Sequence, residues 1–142
     1  MSDFLISIEE YRSSQKKRPK AKSGWRNIGD QRLFFRSAWE ANYARYLHFQ
    51  KEQKLIKEWL YEPKTFWFNS IKRGVRSYLP DFQIFKEDGN EGCHEVKVYL
   101  DDKCKTKLKR MRIYYPEEKI RLIDKTWFKE NPNLKAFING WE

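Results

Sequence analysis

Tyr78-Leu79-Pro80-Asp81-Phe82-Gln83-Ile84-Phe85, the turn signal Asp88-Gly89-Asn90 and Cys93-His94-Glu95-Val96-Lys97-Val98 form the stretch that decides the fold. Aromatic and aliphatic residues on either side of a Gly-containing turn read as two strands of one hairpin. The expected strands run over Val75–Phe85 and Cys93–Leu100. If Asp88 and Gly89 are the two turn residues, Asp81 lies opposite Val96; a register centred on Asp88 puts it opposite Glu95. In both registers Asp81 and Glu95 fall within one residue of pairing. Glu95 and Lys97 are two apart and share a strand face. Phe82, Ile84, Val96 and Val98 form the alternate, apolar face, so the hairpin belongs to a packed sheet.

Two carboxylates facing each other across strands repel unless something cationic lies between them. A magnesium ion suits that need, because it binds one or two carboxylates together with waters and phosphate oxygens. Lys97 is then placed to orient or help deprotonate a metal-bound water. The competing reading is a solvated outer face of the hairpin, where Asp, Glu and Lys are ordinary. Against it, Asp81 directly follows Pro80, a strand-opening position where an acid is seldom chosen for β propensity.

Outward from the hairpin the periodicity changes. Upstream, Trp39, Tyr43, Tyr46 and Leu47 recur at helical spacing, predicting a helix from Ser37 to about Lys54. Leu60–Phe68 is aromatic and β-prone, with Pro63 confined to a strand start or edge. Lys72-Arg73-Gly74 reads as a turn. Downstream, Asp101-Asp102 caps a second helix with a narrow apolar stripe of Cys104, Leu108, Met111 and Tyr115, which Pro116 stops. Ile120–Ile123 supplies one more strand, and residues 126–142 read as a terminal turn or short helix.

Composition narrows the partners. The chain has 142 residues, enough for one core, with aromatic residues at 17% that set it apart from disordered chains. Thirty Lys and Arg against twenty Asp and Glu give a net charge of +10, which favours a polyanion over an apolar partner. The basic stretches lack large apolar faces, so DNA is preferred to an anionic membrane. No apolar run approaches the roughly 20 residues of a membrane span, and Cys93 and Cys104 fit neither a zinc site nor a disulfide framework. A reducing, cytoplasmic setting is expected, that of a bacterial host if the chain is phage-encoded. There is no P-loop, Rossmann or Ser/His/Asp pattern, so no nucleotide cofactor is expected.

Phe35-Arg36-Ser37-Ala38-Trp39-Glu40, Trp59-Leu60-Tyr61-Glu62, Tyr78-Leu79-Pro80-Asp81-Phe82 and Glu95-Val96-Lys97 together carry a resemblance. In this order, with a helix before and after, they resemble the PD-(D/E)XK nuclease superfamily and, within it, the phage endonuclease I type that resolves Holliday junctions. The similarity spans about residues 34–123. It implies an α/β fold with a restriction-endonuclease-like core, a mixed sheet of four to five strands flanked by helices. It also implies metal held by Asp81, Glu95, Glu40 and the Val96 carbonyl, with Lys97 beside the water. Mg²⁺ is the expected ion, with Mn²⁺ as a substitute. Many relatives follow the lysine with glycine, where this chain has Val98.

The expected activity is metal-dependent DNA endonuclease action on branched or structured DNA, which for a junction resolver calls for a homodimer. The alternatives are a transposon-end or restriction-type nuclease of the same fold, or a catalytically silent DNA-binding module. Residues 1–32 read as a basic arm, with Lys16, Lys17, Arg18, Lys20 and Lys22 along phosphates; residues 33–142 form the nuclease domain. Arg36 and the row Lys103, Lys105, Lys107, Lys109 and Arg110 are further expected DNA contacts. Four residues have bland readings beside the functional one. Glu40 completes a capping box with Ser37, Glu62 reads as surface or structural, and His48 reads as solvent-facing. His94 points away from Glu95 and reads as packed.

Overall fold

In the computed structural model, which describes residues 22–142, the chain is a mixed α/β unit. Strands β1 (Gly24–Ile28) and β2 (Gln31–Phe35) form an antiparallel hairpin. Its two-residue loop opens with Gly29 at φ 61°, the left-handed value such tight loops require. This hairpin takes in residues 24–32, which the sequence had suggested as arm; Ile28 and Phe35 are buried in the core beside the helix that follows. Lys16, Lys17, Arg18 and Lys20 lie outside the described residues.

Helix α1 (Ala38–Glu52) is capped by the Ser37 hydroxyl, which accepts from the Glu40 amide. Its buried face is Glu40, Ala41, Asn42, Tyr43, Ala44 and Leu47, whereas Trp39 is 39% exposed. The expected Trp39 stripe is therefore rotated, because two alanines let the sheet approach where large apolar residues do not mark the face.

The central sheet has the order β3-β6-β7-β8, built from β3 (Glu58–Tyr61), β6 (Phe82–Phe85), β7 (Glu91–Val96) and β8 (Ile120–Ile123). The first three pair antiparallel and β8 runs parallel to β7. A parallel neighbour needs a crossover, supplied by helix α2 (Asp102–Tyr114), capped by Asp101. Two short strands, β4 (Phe66–Trp67) and β5 (Ser77–Tyr78), make a separate ribbon. Short helices α3 (Lys125–Glu130) and α4 (Leu134–Phe137) follow β8.

Prolines account for the strands that came out shorter than expected. The span Val75–Phe85 divides into β5 and β6 around Leu79-Pro80-Asp81, and Leu60–Phe68 divides into β3 and β4 around Glu62-Pro63. A residue without an N–H cannot continue a ladder. Glu62 itself takes φ 48°, turning the chain out of the sheet. Strand β7 ends at Val96 rather than Leu100, where the chain bends toward the cap of α2.

Two cores result, one on each sheet face. Tyr43, Ala44 and Leu47 of α1 meet Trp59, Phe82, Ile84 and Val96. Met111 of α2 meets Phe66, Phe68, Tyr78 and Cys93 on the other side. Because β7 alternates, His94 is directed to the first face and Glu95 to the second. No helix among the described residues is long and apolar enough to cross a membrane.

Candidate functional site

The β6–β7 ladder pairs Phe82 with His94 and Gln83 with Cys93, which selects the register that sets Asp81 opposite Glu95. The two residues then lock each other. The Asp81 amide donates to Glu95 Oε2 at 3.1 Å, and the Val96 amide donates to Asp81 Oδ2 at 2.9 Å. Tyr78, at the end of the β4–β5 ribbon, donates its hydroxyl to the same Glu95 Oε2 at 2.9 Å. Pro80 breaks the strand so that Tyr78 and Asp81 both reach Glu95 from one short segment. From the other side the Glu62 amide donates to the Asp81 carbonyl at 2.8 Å, fixing the Asp81 backbone against β3.

Both carboxylates are buried, Asp81 at 6% exposure and Glu95 at 9%. Burial, then the charges of Glu95 and Glu40, push the Asp81 carboxyl well above the ordinary carboxylate range. Burial likewise raises Glu95, opposed by the Tyr78 and Asp81 hydrogen bonds and by the Lys97 charge. Desolvation disfavours the charged form of each acid, and two anions at close quarters disfavour double ionisation. The buried Tyr78 hydroxyl is pushed up for the same reasons and stays a donor. Among the described residues neither carboxylate, nor that of Glu40, forms an ion pair.

Glu40 enters from α1. It too is buried, and its Oε2 accepts from the Tyr61 hydroxyl at 2.8 Å and from the Arg36 amide at 3.2 Å. The reciprocal bond of a capping box, to the Ser37 amide, is replaced by this bond one residue earlier. Glu40 is therefore tied to the sheet through Tyr61, and its charge acts on Asp81 and on Glu95.

Lys97 follows β7, half-buried, with its amide donating to the Ile123 carbonyl at 2.9 Å. Its charge acts on Glu95, on Asp101 and on the buried Cys104 thiol, so the start of α2 closes this side of the site.

Among the described residues no three His, Cys, Asp or Glu side chains form a ready-made metal cage. Asp81 and Glu95 form a two-carboxylate set, with Glu40 outside such a cage and one of its oxygens already engaged. The hydrogen bonds hold Asp81 Oδ2 and Glu95 Oε2, and leave Oδ1 and Oε1 without a bond among the described residues. Two hard oxygen donors that form no ion pair among the described residues fit a magnesium ion, which keeps its remaining positions for waters and phosphate.

The two histidines have structural surroundings. His94 Nδ1 lies 2.6 Å from the Tyr43 hydroxyl, and burial lowers its pKa to about 4, so it is neutral at pH 7. His48, expected in solvent, is instead half-buried; its ring lies edge-on to Trp59 and its Nε2 is 3.1 Å from Glu52. The space above Gly29 is what it fills, since a Cβ there would come within 2.6 Å of its ring.

The expected DNA contacts divide as well. Lys103, Lys105 and Lys109 of α2 are exposed, Lys107 is half-buried, and the Arg110 guanidinium donates to the Val75 carbonyl, tying α2 to the chain before β5. Arg36 is exposed but paired with Glu62. Lys22 lies on the rim of a cleft of about 510 Å³ beside Trp39. The sequence had not assigned Tyr61 and Tyr78 a role, although both lie within the motifs that carry the resemblance. No family model, curated protein or solved structure matches the chain.

Proposed function

We propose that the protein is a divalent-metal-dependent DNA endonuclease of the PD-(D/E)XK type, acting on branched or otherwise structured DNA. One observation carries this reading: two buried carboxylates, one on β7 and one on the residue that leads into β6, share a site, and none of the described cations forms an ion pair with either. Burying an unpaired acid is costly, and a stable fold that does it twice in one place has a use for the charge. The four-stranded mixed sheet, with α1 on one face and α2 on the other, is compatible with a restriction-endonuclease-like core.

Each residue then has a separable task. Asp81 and Glu95 hold the metal through the oxygens their hydrogen bonds leave open, and Tyr78 and the Val96 amide keep those side chains in place. When bound, Mg²⁺ supplies charge neutralisation at the phosphate and lowers the pKa of a coordinated water. Lys97 orients that water and offsets charge developing on the phosphate. Glu40, anchored by Tyr61, adds negative potential that favours a divalent cation. The exposed lysines of α2 run along the backbone and position the substrate without reading bases.

The purified protein, given Mg²⁺ and matched linear, nicked, forked and four-way DNA, is expected to cut the forked or four-way substrate in preference to linear duplex. Equal cutting of all four would favour a nuclease without structure selectivity. Binding with no cleavage in Mg²⁺ or Mn²⁺ would favour a silent DNA-binding module.

A further inference from the structure

A second chemistry sits on the opposite side of the first turn of α1. Glu40 is directed toward Tyr61, whereas its neighbour Trp39 is directed away from the sheet and is 39% exposed. There Trp39, Phe128 and Trp141 line the cleft of about 510 Å³. Trp39 meets Phe128 at a centroid distance of 4.6 Å and 69° between planes, and Phe128 meets Trp141 at 6.4 Å and 55°. Of the three, Trp39 is the most exposed, and it offers ring surface to the cleft.

The rim is cationic. Lys125 and Lys129 of α3 and Lys135 beside them are exposed, and Lys22 adds a fourth charge from before β1. The lining holds one acid, Glu142, and it is neutralised in place. Its carboxylate receives Arg26 Nη2 at 2.8 Å and Arg45 Nη1 at 2.9 Å. An aromatic floor rimmed by lysines that form no ion pair among the described residues suits a flat, anionic, extended ligand. Bases stack on aromatic faces whatever their sequence, while lysines follow the phosphates. A duplex presents phosphates but keeps its bases stacked inside.

We infer that this cleft binds an unpaired stretch of nucleic acid, one base lying against Trp39 and Phe128 with flanking phosphates on Lys125, Lys129 and Lys135. The choice of polyanion rests on the DNA reading above. Trp39 and Glu40 are consecutive but turn to different sides of α1, so the cleft and the carboxylate site are separate places on the molecule. Structured DNA would then be recognised by its unpaired segment, at a place separate from the cutting groups.

The test uses binding without metal, so that it does not depend on cleavage. Fluorescence anisotropy of labelled dT10 and of a blunt duplex is measured in EDTA for the full chain and for Trp39→Ala, Trp39→Phe and the double variant Lys129→Ala/Lys135→Ala. Trp39→Ala and the lysine pair are each expected to weaken dT10 binding about tenfold or more, the scale of one stacked base, with duplex binding changed less than about twofold. Trp39→Phe keeps an aromatic face and is expected to stay within about threefold of the parent, which separates loss of stacking from loss of folding. Equal losses on dT10 and duplex would reduce the cleft to general positive charge and overturn the inference. So would unchanged dT10 binding in both variants, or displacement of dT10 by a polyglutamate peptide as readily as by unlabelled dT10. A parent that binds dT10 here yet never cuts DNA would leave this site standing and remove the nuclease reading.

Discussion

Glu142 and the Asp81–Glu95 pair are acids treated in opposite ways by the same fold. Glu142 sits between Arg26 and Arg45, and the Arg26 hydrogen bond above all holds its carboxyl down at about pKa 2. Asp81 and Glu95 are more deeply buried, have tyrosine and amide donors in place of arginines, and are raised. The first arrangement joins β1, α1 and residue 142 and is complete as it stands. The second, in the proposed reading, is completed by a cation from outside. Thirty Lys and Arg are present in the chain, yet among the described residues none forms an ion pair with Asp81 or Glu95.

The largest effects that would sharpen this contrast are on cleavage. Asp81→Asn and Glu95→Gln should each abolish it while leaving DNA binding intact, since binding rests on phosphate contacts elsewhere. Lys97→Ala should retain metal and DNA binding yet lose about a hundredfold or more in rate, the scale of one acid–base or electrostatic group. A timed cleavage assay beside a binding isotherm reads both. Residual rates within tenfold of the parent in the carboxylate variants would break the contrast, leaving Asp81 and Glu95 as structural acids like Glu142.

Stability should move in opposite directions. In metal-free buffer at pH 7, Asp81→Asn should raise Tm by about 3 °C or more, roughly 1 kcal/mol for a domain of this size. An amide oxygen still accepts from the Val96 amide, and the cost of burying an acid that must take up a proton at pH 7 is gone. Glu142→Gln should lower Tm by about as much, because Arg26 and Arg45 lose their anion. The pH dependence carries the same signs. Asp81 has a raised folded pKa, so the stability it contributes is full below the ordinary value of 3.8 and declines as pH rises. The advantage of Asp81→Asn over the parent should therefore be small near pH 3.5 and widen toward neutrality. Glu142 has a depressed folded pKa, so its contribution is full above 4.5 and is lost as pH falls toward about 2. The parent's advantage over Glu142→Gln should shrink in that acid window. Thermal melts across pH check both; parallel curves for the two variants would contradict the distinction.

A smaller effect belongs to α2. Replacing Lys105, Lys107 and Lys109 with Ala should weaken binding to all duplex sequences alike. It should also reduce the log–log salt slope by about 0.9 for each phosphate that is no longer neutralised. An unchanged slope would assign this helix face to solvent.

How far the sequence reaches is shown by particular residues. The spacing of Asp81 from Glu95 and the turn at Asp88-Gly89 put the two acids across one hairpin, within one residue of the observed register, although Asp81 itself lies just ahead of β6. The helices carrying Tyr43 and Met111 were legible for a similar reason, since large apolar residues at helical spacing mark a buried face. Tertiary context decided what was not legible. Trp39 fits a core stripe by period but is excluded by the close approach of Ala41 and Ala44. Pro63 and Pro80 end strands that composition alone would continue. Tyr61 and Tyr78 read as ordinary β residues, and their hydroxyls acquire a role only because the sheet brings Glu40 and Glu95 within reach. The cleft draws on Lys22, Trp39, Phe128 and Trp141, residues far apart in the chain, so no local pattern announces it.

The central claim is that Asp81 and Glu95 form a site for a divalent cation. Isothermal titration of the metal-free protein with Mg²⁺ at pH 7.5, repeated with Asp81→Asn/Glu95→Gln, tests it without DNA or turnover. The expected result is saturable binding by the parent, release of protons as the raised carboxylates ionise, and loss of that binding in the double variant. Equal Mg²⁺ binding by the two proteins, or none by the parent with either Mg²⁺ or Mn²⁺, would contradict it.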